Sequence, residues 1–297
     1  MPSSSDDHPN VTNSSLIPEM LDNLLDSGHG VVQKNAEETI PAGLTDVLDN
    51  PQSVTDVPVA IPDIQKAIVA FVDMLGTSTL MEEVKKENAE MTYATINGIA
   101  ELFQGKFHDF CKKHNDSISM MISDSFVISV RYDIDTFRDL VSFLAEFQYE
   151  CLKSYTEVMR GAVSVGNMLV GTKDRIIGPA FIKAHKIEVR NAIFPRIVID
   201  NEIVEDDNLY QQTSSLLITR DKDGIRYVDF MATTEADIEK MEKQLSTKRS
   251  TLKEKGKGLE ILQKWDWLLT FLEQKKNGCL DCCKPKPVTT ASSSYAL

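Results

Sequence analysis

Two kinds of hydrophobic pattern alternate along the middle of this chain. The run AIVAFVD at 67–73 is continuously apolar, ends at a carboxylate and is soon followed by Gly76. This pattern predicts a buried strand and then a turn. Residues 78–113 place apolar side chains at helical spacing, and residues 117–132 form two β-rich runs. We therefore predict a strand, a long helix and a hairpin, in that order.

The hairpin is interrupted by Ser123, Asp124 and Ser125, which we expect at its tip. The remaining patterns predict a helix around Phe137–Phe147, a strand over 159–170, a helix over 178–191, a strand over 196–200, a hairpin over 215–231 and helices over 234–254 and 257–276. This order matches a ferredoxin-like βαββαβ unit. We predict an α+β fold in which that unit carries an extra β-hairpin and C-terminal helices.

The two ends of the chain lack these patterns. Residues 1–60 combine Ser, Asn, Asp, Pro and Gly without a sustained period, and residues 278–297 end in a polar run. Such segments bury too little apolar surface to fold. We predict a disordered acidic arm over 1–60, one domain over 61–277 and a disordered tail over 278–297.

The charge of the chain is concentrated in that arm. The net charge is −13, and residues 1–58 hold ten acidic residues against one lysine. The arm therefore carries −9, which leaves −4 for the other 239 residues. A strongly negative protein is a poor binder of nucleic acid or of an anionic membrane. A nearly balanced body can still bind a small polyanion if a local cation or a metal helps.

Cysteine and histidine usage favours no structural metal. The chain has 5 cysteines, and the tail contains a CLDCC run made of Cys279, Leu280, Asp281, Cys282 and Cys283. A structural zinc needs four ligands, and nothing nearby completes the set. We interpret the cysteines as reduced thiols. The 5 histidines show no ligand spacing, and we assign them no role.

No stretch of 18 apolar residues occurs, and the N-terminal sequence is polar and acidic. Neither a membrane-spanning helix nor a secretory signal is therefore predicted. We expect a cytoplasmic protein.

Two carboxylates are candidates for chemistry. In the predicted topology Asp73 ends the first strand and Asp124 lies at the tip of the neighbouring hairpin, so the two converge. Paired carboxylates repel each other unless a cation bridges them, and divalent ions with oxygen ligands are the usual solution. The Met74 carbonyl is a further candidate ligand, and Gly76 allows backbone amides to approach phosphate oxygens. The alternative is that Asp73 caps a helix and Asp124 serves the turn.

The motifs FVDMLG, ISDSFVIS, RGAVSVG and GPAFIKAHKIE occur in this order and spacing over residues 62–275. Together they resemble the class III nucleotide cyclase catalytic domain. The chain is most similar to the Pycsar branch, which makes cyclic pyrimidine mononucleotides in bacterial anti-phage defence. The resemblance implies that 61–277 is the cyclase domain. It also implies a homodimer with the site at the interface, and a product that a separate effector senses.

By this resemblance, Asp73 and Asp124 are catalytic and hold two Mn²⁺ or Mg²⁺ ions, with the Met74 carbonyl as a further ligand. One ion activates the ribose 3′-hydroxyl for in-line attack on the α-phosphorus, and the other stabilises the leaving pyrophosphate. Phe71, Gly76 and Ser125 lie close enough in sequence to contact the nucleotide, although Phe71 is also a candidate core residue.

The chain departs from the purine cyclases at four positions. Met120 stands where those enzymes have a base-contacting Lys, and Arg175 where they have Asp or Cys. Ile182 and Lys186 stand where they have the transition-state Asn and Arg. Lys186 either replaces that cation or is a solvated lysine. Arg196, at a strand start, either reaches the triphosphate or forms a surface ion pair.

These departures argue against ATP and GTP as substrates. We expect a metal-dependent cyclase that converts UTP into 3′,5′-cyclic UMP and pyrophosphate. CTP is the alternative substrate, because an Arg donates equally well to either pyrimidine. A catalytically silent, nucleotide-binding module is the second alternative. We expect neither nucleic acid nor a membrane as a partner.

Overall fold

The computed structural model describes residues 63–77, 89–170, 175–206, 209–210, 217–231 and 238–277. Within these ranges the strands are β1 (Asp63–Met74), β2 (Ile118–Ile122), β3 (Ser125–Arg131), β4 (Met159–Val170), β5 (Ile197–Ile199), β6 (Ile218–Arg220) and β7 (Arg226–Val228). The helices are α1 (Ala89–Lys113), α2 (Ile134–Tyr155), α3 (Pro179–Asn191), α4 (Asn201–Val204), α5 (Ile238–Glu254) and α6 (Leu259–Lys276). The predicted arm over 1–60, the part of the predicted helix that precedes Ala89 and the tail over 278–297 lie outside the described residues.

The strands form one sheet in the order β2-β3-β1-β4-β5-β7-β6. Neighbours are antiparallel except for β4 and β5, which are parallel. The first four strands, with α1 and α2 between them, have the ferredoxin-like βαββαβ arrangement. The hairpin β6–β7 extends the sheet beyond β5, and α5 and α6 follow it. The predicted α+β fold with an extra hairpin and C-terminal helices is confirmed.

The two faces of the sheet bury different side chains of β1. Ile68, Ala70 and Val72 belong to the larger hydrophobic core, which also contains the buried side chains of α1 and α2. Val69 and Phe71 belong to a smaller cluster that includes the buried face of α3. Because side chains alternate along a strand, the Asp73 side chain also lies on the face of the sheet that packs against α3. The carboxylate at the end of β1 therefore belongs to the α3 face.

Local sequence explains where the flanking helices begin. Asp133 caps α2 by accepting a hydrogen bond from the backbone N–H of Thr136 at 2.9 Å. At α3, Gly178 precedes Pro179, whose missing N–H is no loss in a first helical turn. Gly178 has a φ of +157°, and a Cβ there would lie 2.6 Å from the Asn167 carbonyl oxygen. These features hold α3 against β4.

The described boundaries refine the predicted ones. The β2–β3 turn contains Ser123 and Asp124, whereas Ser125 is the first residue of β3. Ser123 has a φ of 57°, as such a tight turn requires. The predicted strand over 196–200 is shorter, because Asp200 caps α4. No helix within the described ranges is long and apolar enough to cross a membrane.

Candidate active site

Three polar side chains lie in one row across three adjacent strands. Asp73 of β1 is paired in register with Ser125 of β3 on one side and with Arg160 of β4 on the other. Directly opposed residues of antiparallel strands bring their side chains within contact distance. Ser125 Oγ accordingly donates a hydrogen bond to Asp73 Oδ1 at 2.9 Å. Arg160 Nε and Nη2 both lie 3.3 Å from Asp73 Oδ2.

Asp73 is held in an environment that disfavours its charge. Its side chain is only 17% exposed. Burial raises the pKa of Asp73, Arg160 lowers it, and the nearby negative charge of Asp124 raises it again. The balance is a pKa above the usual aspartate value. A second cation close to this carboxylate would therefore stabilise its ionised form.

The turn that carries Asp124 is held next to the end of β1. The backbone N–H of Met74 donates to the Asp124 carbonyl at 3.4 Å. The predicted metal ligand, the Met74 carbonyl, accepts a hydrogen bond from the Thr77 hydroxyl at 3.0 Å. A carbonyl oxygen has two lone pairs, so one remains available. The structure therefore brings the two predicted carboxylates to one end of the sheet.

Arg160 lies between Asp73 and a second carboxylate that the sequence analysis did not single out. Arg160 Nε is 2.8 Å from Oε1 of Glu188, which projects from the buried face of α3. Glu188 is 2% exposed, and its Oε1 receives no hydrogen bond. Burial raises the pKa of Glu188 to about 7, although the charge of Arg160 opposes this.

Two further titratable groups surround this cluster. Lys264 of α6 is partly buried, and burial together with the charge of Arg160 lowers its pKa. His185 of α3 packs edge-on against Phe71, with ring centroids 5.0 Å apart. Burial lowers the pKa of His185, while the charge of Asp73 opposes this. A C-terminal helix outside the βαββαβ unit thus contributes a lysine to the surroundings of the site.

The close approach of β1 and β4 depends on Gly161. A Cβ at this position would lie 2.4 Å from the Phe71 carbonyl oxygen, which is far inside van der Waals contact. Because Gly161 directly follows Arg160 and has no side chain, β4 can lie close to β1 at this point. This close pairing brings the Arg160 guanidinium near the end of β1. This close approach is the structural reason for a glycine directly after Arg160 in the RGAVSVG motif.

The other predicted residues of β1 occupy distinct positions. Phe71 is 7% exposed and packs against Phe181 and His185 of α3, which gives it a core role as well as a place beside the site. Gly76 follows the strand with a φ of +92°, a conformation that favours glycine. Both lie within three residues of Asp73, and their contact with a nucleotide stays a prediction.

The predicted cations differ in where they lie. Arg175 is exposed just before α3, and Lys186 is exposed on α3 next to His185. Their roles as nucleotide contacts stay predictions.

Arg196 is the site prediction that the structure does not support. Its side chain is 1% exposed, and its guanidinium pairs with Asp221 and Asp223 of the β6–β7 turn and donates to the Asn191 carbonyl. These partners occupy the terminal nitrogens, so Arg196 is not available to a triphosphate. The alternative, an ion pair, is present, although the guanidinium is buried and does not lie at the surface.

The sequence contains signals for two site residues that were not predicted, Glu188 and Arg160. Ala180, Ala184 and Glu188 are spaced by four residues, which places Glu188 on the buried face of α3 together with the two alanines. Arg160 opens the RGAVSVG motif near the start of β4, which runs antiparallel to β1, so Arg160 lies opposite the end of β1. Lys264 has no comparable signal, because nothing in the pattern tells where α6 packs.

No group of three or more His, Cys, Asp or Glu side chains arranged to hold a metal ion occurs among the described residues. Mg²⁺ commonly binds through one or two carboxylates, with water and substrate phosphates completing its shell. Asp73 and Asp124 fit that pattern because they converge: burial and then the charge of Asp124 raise the pKa of Asp73, even though Arg160 opposes both. Arg160 is the group with which an ion at Asp73 would compete.

No protein-family model matches this chain, and no curated protein sequence does. Several solved structures are similar to it. One is the guanylyl cyclase domain of the RhoGC fusion protein from the aquatic fungus Blastocladiella emersonii, at 15% identity and a TM-score of 0.43, covering 57% of this chain and 96% of that one.

A bacterial light-regulated adenylyl cyclase matches at 14% identity and a TM-score of 0.41, covering 62% of this chain and 99% of that one. The adenylyl cyclase CyaB from P. aeruginosa matches at 17% identity and a TM-score of 0.41, covering 56% and 94%. At these values the likeness says nothing about individual residues, so the chemistry rests on the residues of this chain.

Proposed function

We propose that this protein is a metal-dependent nucleotide cyclase of the class III type. The observation that carries the proposal is the convergence of Asp73 and Asp124 at one end of the sheet, with Ser125 and Arg160 bound to Asp73. Paired carboxylates at a strand end next to a glycine turn suit the binding of divalent ions and a triphosphate. The motif resemblance over residues 62–275 supports the same activity.

Each residue of the row has a role in this proposal. Asp73 and Asp124 hold the divalent ions, with the free lone pair of the Met74 carbonyl as a further ligand. When bound, the ions would lower the pKa of the ribose 3′-hydroxyl and neutralise charge on the phosphates. Ser125 fixes the orientation of the Asp73 carboxylate through its hydrogen bond. The positive φ of Gly76 turns the backbone beside them, where its amides can approach phosphate oxygens.

A pyrimidine substrate is the finer part of the proposal. Met120 of β2 is partly buried and packs against the same small cluster as Phe71, so it brings an apolar surface and no strong donor towards the base. A purine-binding Lys is absent there, which favours a pyrimidine over a purine. We propose UTP as the substrate, with CTP as the alternative. A role in anti-phage defence belongs to the same proposal and is supported by the sequence resemblance alone.

We also propose that the active enzyme is a homodimer with its site at the interface. Lys186 is exposed on α3, and Val189 and Ile193 beside it are 52% and 56% exposed. An exposed cation next to apolar side chains suits a contact with a second copy, in which Lys186 would reach the partner's bound nucleotide.

Incubation of the purified protein with each of the four nucleoside triphosphates and Mn²⁺ tests the activity. Mass spectrometry should detect a cyclic pyrimidine mononucleotide and pyrophosphate. Asp73→Asn and Asp124→Asn should each lower turnover by about a hundredfold or more, because positioning and charge stabilisation supply nearly all of this catalysis. Circular dichroism should show that both variants remain folded.

The second candidate function is a catalytically silent module that binds a nucleotide. It is favoured by Ile182 and Lys186 at the positions of the transition-state Asn and Arg, and by the pairing of Asp73 with Arg160. Nucleotide binding without any cyclic product, unchanged in Asp73→Asn, would support this module and contradict the cyclase. Near-full turnover in both Asp variants would refute the assignment of the metal ligands.

A further inference from the structure

The guanidinium of Arg160 is shared unequally between two carboxylates. Its Nε and Nη2 groups donate to Asp73 Oδ2 at 3.3 Å, which is a long charge-assisted hydrogen bond. Its Nε also lies 2.8 Å from Glu188 Oε1, but no N–H points at that oxygen. A small rotation of the guanidinium would therefore transfer a donor from Asp73 to Glu188.

Glu188 already lies at ion-pair distance from Arg160 but accepts no hydrogen bond through its Oε1. Its side chain is 2% exposed and its Oε1 has no hydrogen-bond partner. An unsatisfied buried carboxylate oxygen is costly, so it normally has a partner in some state of the molecule. Arg160 is the cation placed to become that partner.

A divalent ion at Asp73 would change the balance between the two carboxylates. The ion and the guanidinium would compete for the same carboxylate oxygen, Oδ2, and would repel each other at short range. The Glu188 carboxylate is not a ligand of the proposed ion, and its Oε1 already lies 2.8 Å from Nε of Arg160. A small rotation of the guanidinium is thus enough for Arg160 to donate to Glu188 in place of Asp73.

We propose that Glu188 is a positioning residue that takes over Arg160 when Asp73 binds a divalent ion. This inference rests on the proposed function, because it requires Asp73 to be a metal ligand. Without Glu188 the guanidinium stays on Asp73 and competes with the ion. Glu188 therefore sets the metal affinity through Arg160, without touching the metal.

Titration of the nucleotide-free, full-length protein with Mn²⁺ alone tests the proposal, with free Mn²⁺ measured by electron paramagnetic resonance. Glu188→Gln preserves the shape of the side chain and removes its charge. We expect this variant to bind Mn²⁺ about tenfold more weakly, the size typical of losing an outer-shell partner of a metal ligand. Glu146→Gln, which breaks the ion pair with Lys106 between α1 and α2, is the matched control and should bind as the wild type does.

The same titration in the background of Arg160→Gln separates positioning from a simple charge effect. With no guanidinium to displace, Arg160→Gln should bind Mn²⁺ at least as tightly as the wild type. Adding Glu188→Gln should then change the affinity by less than about twofold, because the two residues act as a unit. An equal loss on adding Glu188→Gln in both backgrounds, or wild-type affinity in Glu188→Gln alone, would overturn the proposal.

Asp73→Asn distinguishes this failure from failure of the proposed function. If the wild type binds no Mn²⁺, or if Asp73→Asn binds it as well as the wild type, the metal site itself is refuted and the inference falls with it. If binding depends on Asp73 but the Glu188 effect does not depend on Arg160, only the inference is overturned. Circular dichroism confirms that the variants used are folded.

Discussion

Among the described residues, two clusters place one arginine between two carboxylates, and they differ in how well the charges are satisfied. Arg196 is 1% exposed and binds Asp221 and Asp223 through its terminal nitrogens. Arg160 is 27% exposed and reaches Asp73 only at 3.3 Å. Partial desolvation raises the pKa of Asp223, but hydrogen bonds from Arg196 and from the backbone N–H of Ile225 outweigh this and lower it. The pKa values of Asp73 and Glu188 are instead raised.

This difference separates a structural ion pair from a candidate active site. Groups whose pKa values are perturbed in the unfavourable direction, and which retain an unused acceptor, are typical of functional sites. A saturated pair, in contrast, holds its elements in one arrangement. Arg196 fastens the β6–β7 hairpin to the start of β5, whereas the cluster around Arg160 remains able to accept another cation.

Removal of Arg196 should have the largest effect on stability. Arg196→Ala removes a buried side chain and leaves Asp221 and the more exposed Asp223 without their cation. Breaking the pair should cost about 3 kcal/mol, the lower end for a buried pair, because both carboxylates are partly solvated. Urea denaturation, followed by tryptophan fluorescence, measures the free energy of unfolding. Arg160→Ala should cost only about 1 kcal/mol, because its side chain is partly exposed and both of its carboxylates can take up a proton. Equal costs in the two variants would show that the clusters do not differ.

Gly161 joins the two clusters, since it follows Arg160 and its N–H donates to the Arg196 carbonyl at 3.1 Å. Gly161→Ala would place a Cβ 2.4 Å from the Phe71 carbonyl oxygen, and such overpacking costs about 1–3 kcal/mol. Product formation should fall as well, because the row at Asp73 must shift. Gly105→Ala is the matched control: no atom lies within 4 Å of its added Cβ, and a helical alanine should be stabilising.

The pH dependence of stability should differ in sign between the clusters. Glu188, which faces Arg160, Asp73 and Lys264, has a folded-state pKa of about 7 against an ordinary value of 4.5. Between these values the folded chain keeps the proton that the unfolded chain loses, so stability falls as pH rises through this window. Glu188→Gln should remove about 2 kcal/mol of that fall, measured by unfolding at pH 5 and 7.5.

Asp223→Asn is the opposite case. Its lowered pKa gives a contribution that is present above pH 3.8 and lost as the pH falls further. The difference in unfolding free energy between the wild type and Asp223→Asn should therefore shrink only at acidic pH. A fall with rising pH near neutrality would contradict the assignment.

The smallest expected effect concerns Trp267 of α6, whose Nε1 donates to Asp221 at 2.7 Å. Trp267→Phe retains stacking against Phe194 and Phe271 but loses one hydrogen bond, which should cost about 1 kcal/mol. Turnover should change by less than about twofold, since Trp267 belongs to the Arg196 cluster. A larger loss of turnover would indicate that α6 couples the two clusters.

The alternation of apolar runs predicted the fold well, because each element of the βαββαβ unit has its own period and its own turn residues. The convergence of Asp73 and Asp124 also followed, since a hairpin that pairs with β1 must bring its turn to the end of that strand. These predictions depend on contacts between neighbouring elements, which the chain order determines.

The remaining contacts depend on packing that no local pattern encodes. Arg196 pairs with residues 25 and 27 positions later, and this depends on the β6–β7 hairpin joining the sheet beside β5. Lys264 lies close enough to Arg160 and Glu188 for their charges to shift its pKa, and this depends on where α6 packs. The charge of Arg196 alone suggested a contact with phosphate. In the fold, Arg196 instead forms buried ion pairs with Asp221 and Asp223.

The row Ser125–Asp73–Arg160 also has a consequence for folding. Asp73 contacts residues 52 and 87 positions away in sequence, and contacts of such separation form slowly. During synthesis, Asp73 and Asp124 are made well before Arg160, so the nascent chain carries two carboxylates without their counter-cation. The site therefore comes into existence only when the last strand of the βαββαβ unit has docked.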